Sequence, residues 1–228
     1  SYAMELGFLD SQEYGVEAAL WVGGPGIAGS TSIGEVLTGI ITPSGRLVDT
    51  YAYDLTTQST YYTSDYNYYY STENPDKILA GFSNYSENIY VGYRWYETAD
   101  AEGYWNAVSN EYGQGYEGVV QYPFGYGLSY TEFSYQNLKT EGTYPNVKVS
   151  VDVTNTGEVS GKEIVEIYAG KKDSAVERAA KELRGFVKVE LNPGDTKTVT
   201  VELEPEAFQY YNEEKAMFVT ESGKYQIY

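Results

Sequence analysis

The 228-residue chain contains no cysteine and no histidine. The first absence excludes disulfides, thiolate metal sites and a cysteine nucleophile, and the second removes the commonest general base and zinc ligand. Serine triads and zinc hydrolysis are excluded with them. What remains for acid–base or nucleophilic chemistry is carboxylate, lysine, tyrosine and backbone, and a carboxylate pair is the common solution for cleaving a sugar. Positive charge is scarce as well: 15 Lys and Arg against 33 Asp and Glu leave a formal net charge of −18. A field of that sign repels nucleic-acid phosphates and anionic lipid, whereas a neutral ligand such as a sugar meets no such barrier. No apolar run approaches the ~18 to 20 residues of a membrane span, and no basic stretch followed by an apolar one opens the sequence. The expectation is a chain without membrane anchor, signal, metal or cofactor, and with no compartment specified.

Against these absences, 42% of the residues are hydrophobic and 16% aromatic, enough to bury a core despite the charge. Ala18-Ala19-Leu20-Trp21-Val22 is a short apolar run stopped by Gly23-Gly24-Pro25-Gly26, which predicts a strand buried on both faces and ended by a turn. Ser32 with Glu35 fits a capping box, and Ile33, Val36, Leu37 and Ile40 form an apolar stripe at helical spacing before Pro43 and Gly45. One strand and one helix make an α/β unit whose partner strands are missing, because a parallel sheet needs several. From Asp49 to about Asn88 the chain is rich in Tyr, Ser, Thr, Asn and Asp without a sustained period, and reads as a long packed loop. Ile89 to Tyr96 is heavily aromatic and weakly alternating, which suits a strand, while the Pro and Gly of Val119 to Tyr130 forbid a helix there.

Beyond Phe133 the pattern is consistently β. Val147, Val149, Val151 and Val153 alternate with polar residues, and Asn155-Thr156-Gly157 supplies a turn. Further strands are predicted at 163–169, 183–191, 196–203, 208–212, 216–219 and 224–228, with Asn192-Pro193-Gly194-Asp195 and Glu221-Ser222-Gly223 among the turns. The last of them looks like a final strand cut short. Such spacing indicates an antiparallel sandwich of roughly one hundred residues with immunoglobulin or fibronectin type III character. The expected fold is mainly β: a partial α/β sandwich segment over residues 1–60, a Tyr-rich irregular connecting region with short strands over 61–130, and a fibronectin type III-like β-sandwich over 131–228.

These residues resemble a known family. Gly23-Gly24-Pro25-Gly26 through Gly34-Glu35-Val36-Leu37-Thr38-Gly39 and Pro43-Ser44-Gly45-Arg46-Leu47 resemble the segment closing the α/β sandwich domain of glycoside hydrolase family 3, the β-glucosidase-like enzymes. Tyr90 to Tyr96 and Tyr122-Pro123-Phe124-Gly125-Tyr126-Gly127-Leu128-Ser129-Tyr130 resemble two blocks preceding that family's fibronectin type III-like domain. Val153 to Gly157, Gly161-Lys162-Glu163 and Lys181-Glu182-Leu183-Arg184-Gly185-Phe186 resemble the domain itself. The resemblance implies retaining hydrolysis of β-glucosides or related sugars by two carboxylates about 5 to 5.5 Å apart. It implies a nucleophilic Asp in a (β/α)8 barrel and an acid/base upstream of the matched region, so neither has a counterpart here and no residue of this chain is expected to be catalytic. The barrel's position relative to this region, before it or after it, stays open.

Each tempting residue has a plainer alternative. The glycine turn before a helix resembles a phosphate loop, but the Lys-Ser/Thr ending is absent and Pro25 removes a donor, so a structural turn is favoured. Arg46 is expected in a buried or interdomain ion pair rather than on a ligand, with Asp49 and Asp54 as nearby partners. Trp95, Trp105 and the surrounding tyrosines suit either sugar stacking or core packing. The aromatic candidates for substrate contact are Tyr61, Tyr62, Tyr68, Tyr69 and Trp95, the Tyr61–Tyr70 loop being favoured over the Pro123–Tyr130 block. No Asp-x-Asp-x-Asp-Gly calcium pattern is present, and Asn84-Tyr85-Ser86 is a glycosylation acceptor by pattern.

The expected function is thus the non-catalytic C-terminal portion of a β-glycosidase, inactive alone, scaffolding and bordering a substrate site; the alternative is a stand-alone carbohydrate-binding or adhesion module. Expected partners are the parent's barrel and remaining α/β sandwich, a β-glucoside or oligosaccharide, and a second copy met through an unpaired sheet edge.

Overall fold

The structure, a computed structural model, describes residues 3–27, 29–61, 63 and 68–228. Residues 18–22, expected as a buried strand, run without a ladder partner, and Leu20, Trp21 and Val22 are 44%, 49% and 40% exposed. A strand covered on both faces needs neighbours on both edges, and among the described residues none pairs with it. Helix α1 (Ser30–Leu37) does follow the glycine turn, in which Gly23 and Gly26 take φ of +64° and +67°. It begins three residues earlier than the capping box implied: Gly29 is the N-cap, no side chain caps the end, and Ser32 lies inside the helix. A Cβ on Gly29 would lie 2.2 Å from the Pro25 carbonyl, so only glycine closes that turn. Leu37 and Ile40 of the predicted stripe face outward, 67% and 75% exposed.

The connecting region has a core of its own. Strand β1 (Tyr51–Ala52) pairs antiparallel with the later β4 (Val120–Tyr122), and between them β2 (Tyr68–Tyr70) pairs with β3 (Ile78–Gly81) inside the segment expected to be a loop. The aromatic block expected as a strand over 89–96 instead enters helix α2 (Tyr93–Ala101). The pattern that wins is helical: Tyr96 and Ala99, three residues apart, are buried on one face, and Gly92 at φ +58° turns the chain into the helix. Ala52, Tyr96, Ala99, Trp105, Val119 and Val120 close this core, with Trp95, Val108 and Tyr116 packed against it.

The remainder is the sandwich, and the fold as a whole is mainly β. One sheet runs β5 (Phe133–Thr143), β6 (Asn146–Asn155), β9 (Thr196–Leu203), and the facing sheet runs β12 (Gln226–Ile227), β7 (Gly161–Gly170), β8 (Glu182–Leu191). A hairpin of β10 (Gln209–Asn212) and β11 (Met217–Thr220) stands beside them. The alternation on β6 buries Val149, Val151 and Val153 against Val165, Ile167, Val189, Leu191, Val199 and Leu203 of the other strands.

Asn155, which the sequence marked as a turn residue, is wholly buried and fully bonded. Its Oδ1 accepts from Thr131 Oγ1 (2.7 Å) and the Gly157 N–H (3.1 Å), and its Nδ2 donates to the carbonyls of Val159 (2.9 Å) and Leu191 (3.0 Å). One side chain thereby joins the end of β6 to the end of β8 and to the incoming chain, leaving no polar atom without a partner.

The long loop 171–181 is anchored by Glu221. Its carboxylate accepts from the Ala175 N–H (2.7 Å) and the Ser174 hydroxyl (2.7 Å), with Lys171 Nζ at 3.3 Å and Arg178 Nε at 3.7 Å. The Arg178 guanidinium lies over the rings of Tyr210 (5.0 Å) and Tyr225 (5.7 Å), which binds the loop to the hairpin as well. The Ala175 amide first, then the Ser174 hydroxyl and Lys171, hold the Glu221 carboxyl down at about 2. A carboxyl depressed in the folded state adds stability above its unfolded value of about 4.3, and that contribution is lost as pH falls toward 2. The difference in melting temperature between wild type and Glu221→Gln should therefore be full above about pH 5 and shrink steadily between about pH 4.5 and 2; a difference independent of pH would contradict the assignment.

Candidate functional site

The stretch from Thr42 to Leu47 is tied to the sandwich chiefly through Arg46. Arg46 makes the ion pair expected of it, but with Glu163 on β7 rather than with Asp49 or Asp54; the two side chains are 12% and 9% exposed. Asp54 instead accepts from the Thr56 N–H (2.8 Å) and starts a short turn. The second oxygen of Glu163 accepts from the Tyr135 hydroxyl (2.6 Å) on β5, and burial together with that carboxylate pushes the phenol well up, so it stays a donor. Backbone bonds reinforce the pair: the Leu47 N–H donates to the Tyr126 carbonyl (2.8 Å) and the Gly125 N–H to the Leu47 carbonyl (2.8 Å). The Tyr130 hydroxyl donates to the Val36 carbonyl (2.9 Å) and Thr42 Oγ1 to the Ser160 carbonyl (2.9 Å). Gly127 permits this approach, because a Cβ there would lie 2.4 Å from the Gly45 carbonyl.

With the connecting region held down, a cleft of about 300 Å³ opens between α2, the Pro123-Phe124-Gly125 turn and the outer face of β7. Tyr93 packs on Phe124 (centroids 4.6 Å) and edge-on to Tyr168 (5.9 Å), which makes one wall aromatic. Glu97 accepts from the Tyr116 hydroxyl (2.7 Å) and pairs with Lys181 (2.8 Å). Glu166 accepts from the Tyr168 hydroxyl (2.6 Å), and Lys181 Nζ stands 5.6 Å from the centre of the Tyr168 ring. Burial first, then the neighbouring carboxylates, raise the Tyr116 and Tyr168 phenols above their ordinary value. Both remain protonated donors to their glutamates across the physiological range. The cleft is a set of fixed acceptors and donors beside an aromatic wall.

The residues singled out from the sequence come from the 58–61 turn, β2 and α2. Tyr61 is 44% exposed, Tyr68 and Tyr69 are consecutive on β2, and Tyr62 lies outside the described residues. Trp95 is half-buried on α2, donates from Nε1 to the Thr57 carbonyl (2.8 Å) and packs edge-on against Trp105 (5.8 Å) and Tyr104 (5.6 Å). Trp105 is 5% exposed and bonded to the Tyr96 carbonyl. Both indole N–H groups are thus bonded within the chain and both rings pack on aromatic neighbours. Tyr85 of the Asn84-Tyr85-Ser86 pattern is 76% exposed, so that loop is accessible. Among the described residues no three His, Cys, Asp or Glu side chains converge as a metal site. Glu97, Glu166, Tyr168 and Lys181 escaped the sequence reading because they come from three separate elements; the outward positions of β7 were the one available signal.

The class defined by these features is a fibronectin type III-like sandwich carrying a helix-bearing apolar segment on its flank. Residues 3–93 match the glycosyl hydrolase family 3 C-terminal domain, and residues 163–228 match the fibronectin type III-like domain. The chain belongs to glycosyl hydrolase family 3, as its C-terminal region. It is 35% identical over 228 residues to β-glucosidase B of Emericella nidulans, matching 99% of this chain and 24% of that one. It is 34% identical over 207 residues to a β-glucosidase of Bacteroides ovatus, matching 89% and 24%. The crystal structure of the Bifidobacterium adolescentis family 3 β-glucosidase superposes with a TM-score of 0.70 at 29% identity, covering 88% of this chain and 26% of that one. The chain thus spans about a quarter of the length of the relatives it matches.

Because the 45–47 segment and the 125–127 turn approach with no room for a methyl group, Gly127→Ala should lower unfolding stability by about 1 to 3 kcal/mol. It should also speed hydrogen exchange at the Leu47 and Gly125 amides selectively. Unchanged exchange at both would refute the close-approach role.

Proposed function

We propose that this chain is a non-catalytic C-terminal portion of an enzyme that hydrolyses β-glucosides or related β-glycosides by a retaining two-carboxylate mechanism. The observation that carries this reading is the alignment of 99% of the chain with a quarter of a β-glucosidase. The two carboxylates of the family have no counterpart among the motifs matched here.

The chain's role in that enzyme is scaffolding. Residues 1–60 complete an α/β sandwich domain whose other strands lie elsewhere in the enzyme, residues 61–130 connect, and residues 131–228 form the fibronectin type III-like domain. The exposure of Leu20, Trp21, Val22, Ile27, Leu37 and Ile40 supports this, because a covering layer at about 25 cal/mol per Å² turns that apolar surface from a liability into an interface. The remaining domains of the parent are that layer. In their absence the same face and the unpaired edge of β5 drive self-association. The segment bearing Tyr61, Tyr68 and Tyr69 borders the substrate site.

An aryl β-glucoside assay on the 228-residue chain by itself should give no turnover above background. Turnover that survives repurification would overturn the reading.

A further inference from the structure

We propose that the cleft between α2, the 123–125 turn and the outer face of β7 binds one ring of a neutral pyranose, with Glu166 as hydroxyl acceptor, Lys181 as donor and Phe186, the neighbour of Glu166 on β8 outside the lining, as the stacking face. The cleft's volume of about 300 Å³ stands at the small end of ligand pockets, enough for a monosaccharide and not for an extended chain.

Charge narrows the ligand first. Glu97 and Glu166 against Lys181 leave the lining one unit negative (−1 −1 +1), within a chain of net charge −18, which turns away phosphates and carboxylates. A cation is disfavoured for a different reason. Lys181 already bonds Glu97 and stands by the Tyr168 ring, so the cleft's cation position is filled. A neutral ligand meets neither obstacle.

The polar groups then suit hydroxyls, which donate and accept at once. Glu166 receives a hydrogen bond from Tyr168 and forms no ion pair among the described residues, so the carboxylate retains acceptor capacity for further hydroxyls. Lys181 carries protons beyond the one given to Glu97. Tyr168 fixes Oε2, and Gly125 at φ +82° packs against that same oxygen, a Cβ there lying 2.4 Å from it, so Oε1 is the oxygen left to accept from a ligand. Such fixed positions reduce the ordering cost of binding.

The last element is Phe186. It is the register partner of Glu166 across the β7–β8 ladder, so both side chains rise from the same face of the sheet as near neighbours. Phe186 is 69% exposed, a large ring in water beside a carboxylate without a cation. An aromatic face next to hydroxyl acceptors matches a pyranose, whose C–H face is apolar and whose edge is polar.

The choice of β-glycosides as probes rests on the function proposed above, whereas the cleft's chemistry does not. Saturation-transfer NMR on the 228-residue chain, titrated with methyl β-D-glucopyranoside and methyl β-D-galactopyranoside, should show saturable binding to one or both in about the millimolar range. Phe186→Ala, which removes only an exposed side chain, should weaken it about fivefold without changing the melting temperature, and Glu166→Gln should weaken it at least as much. Saturable binding of neither glycoside, or binding indifferent to both substitutions, overturns the proposal. If that happens while the full-length enzyme still cleaves aryl β-glucosides, the cleft falls and the family function stands.

Discussion

Glu163 is the first inward-facing side chain of β7 after Gly161, at a place where an ionised carboxylate is costly to bury without a cation. Arg46 supplies that cation from a segment that precedes the sandwich by more than eighty residues in sequence, and Tyr135 satisfies the other oxygen from the opposite sheet. Three parts of the chain are thus fixed by one charge. Beside that pair Leu47 exchanges backbone bonds with Gly125 and Tyr126 and the 125–127 turn lies flat on the 45–47 segment, while α2 rests over the outer face of β7 through the Leu183 N–H donating to Tyr93 Oη and the Ala180 N–H to Thr98 Oγ1. The cleft is a by-product of that docking. Its aromatic wall comes from α2 and the turn, and its floor from β7.

The two hydrophobic cores have different standing. The sandwich core closes on itself, with Val149, Val153, Leu191 and Leu203 all at most 3% exposed. The core around Tyr96 and Trp105 is smaller and depends on the pairing of two short strands for its edge. The segment before residue 43 has no closed core among the described residues; its large apolar side chains lie on the surface. This gradient from closed to open packing accompanies a match to only a quarter of its relatives' length.

The legible part of the sequence was the part governed by a local period. Val147 to Val153 alternate because β6 has one wet and one dry face, and β7, β8 and β9 follow the same rule, so their ends were read almost to the residue. Where no period operates the reading failed. The edge strand β5 went unmarked because its polar residues face water on both sides, and α2 was taken for a strand because aromatic side chains suit both elements. Residues 18–22 have the composition of a buried strand but not the neighbours, and composition alone does not supply them. Arg46 shows the same limit: its chemistry announced a buried ion pair, yet the partner lies 117 positions away and only the fold identifies it. The cleft was illegible for that reason, being made of residues that meet only after docking.

If Glu163 and Arg46 hold the assembly together, their contributions must be coupled. The direct measurement is a double-mutant cycle on denaturant unfolding with Arg46→Met and Glu163→Gln. Each single change strands one buried polar partner and should cost about 3 kcal/mol, while the double change should cost at least about 2 kcal/mol less than their sum. Costs that add to within about 0.5 kcal/mol would contradict the account, because independent sites behave that way.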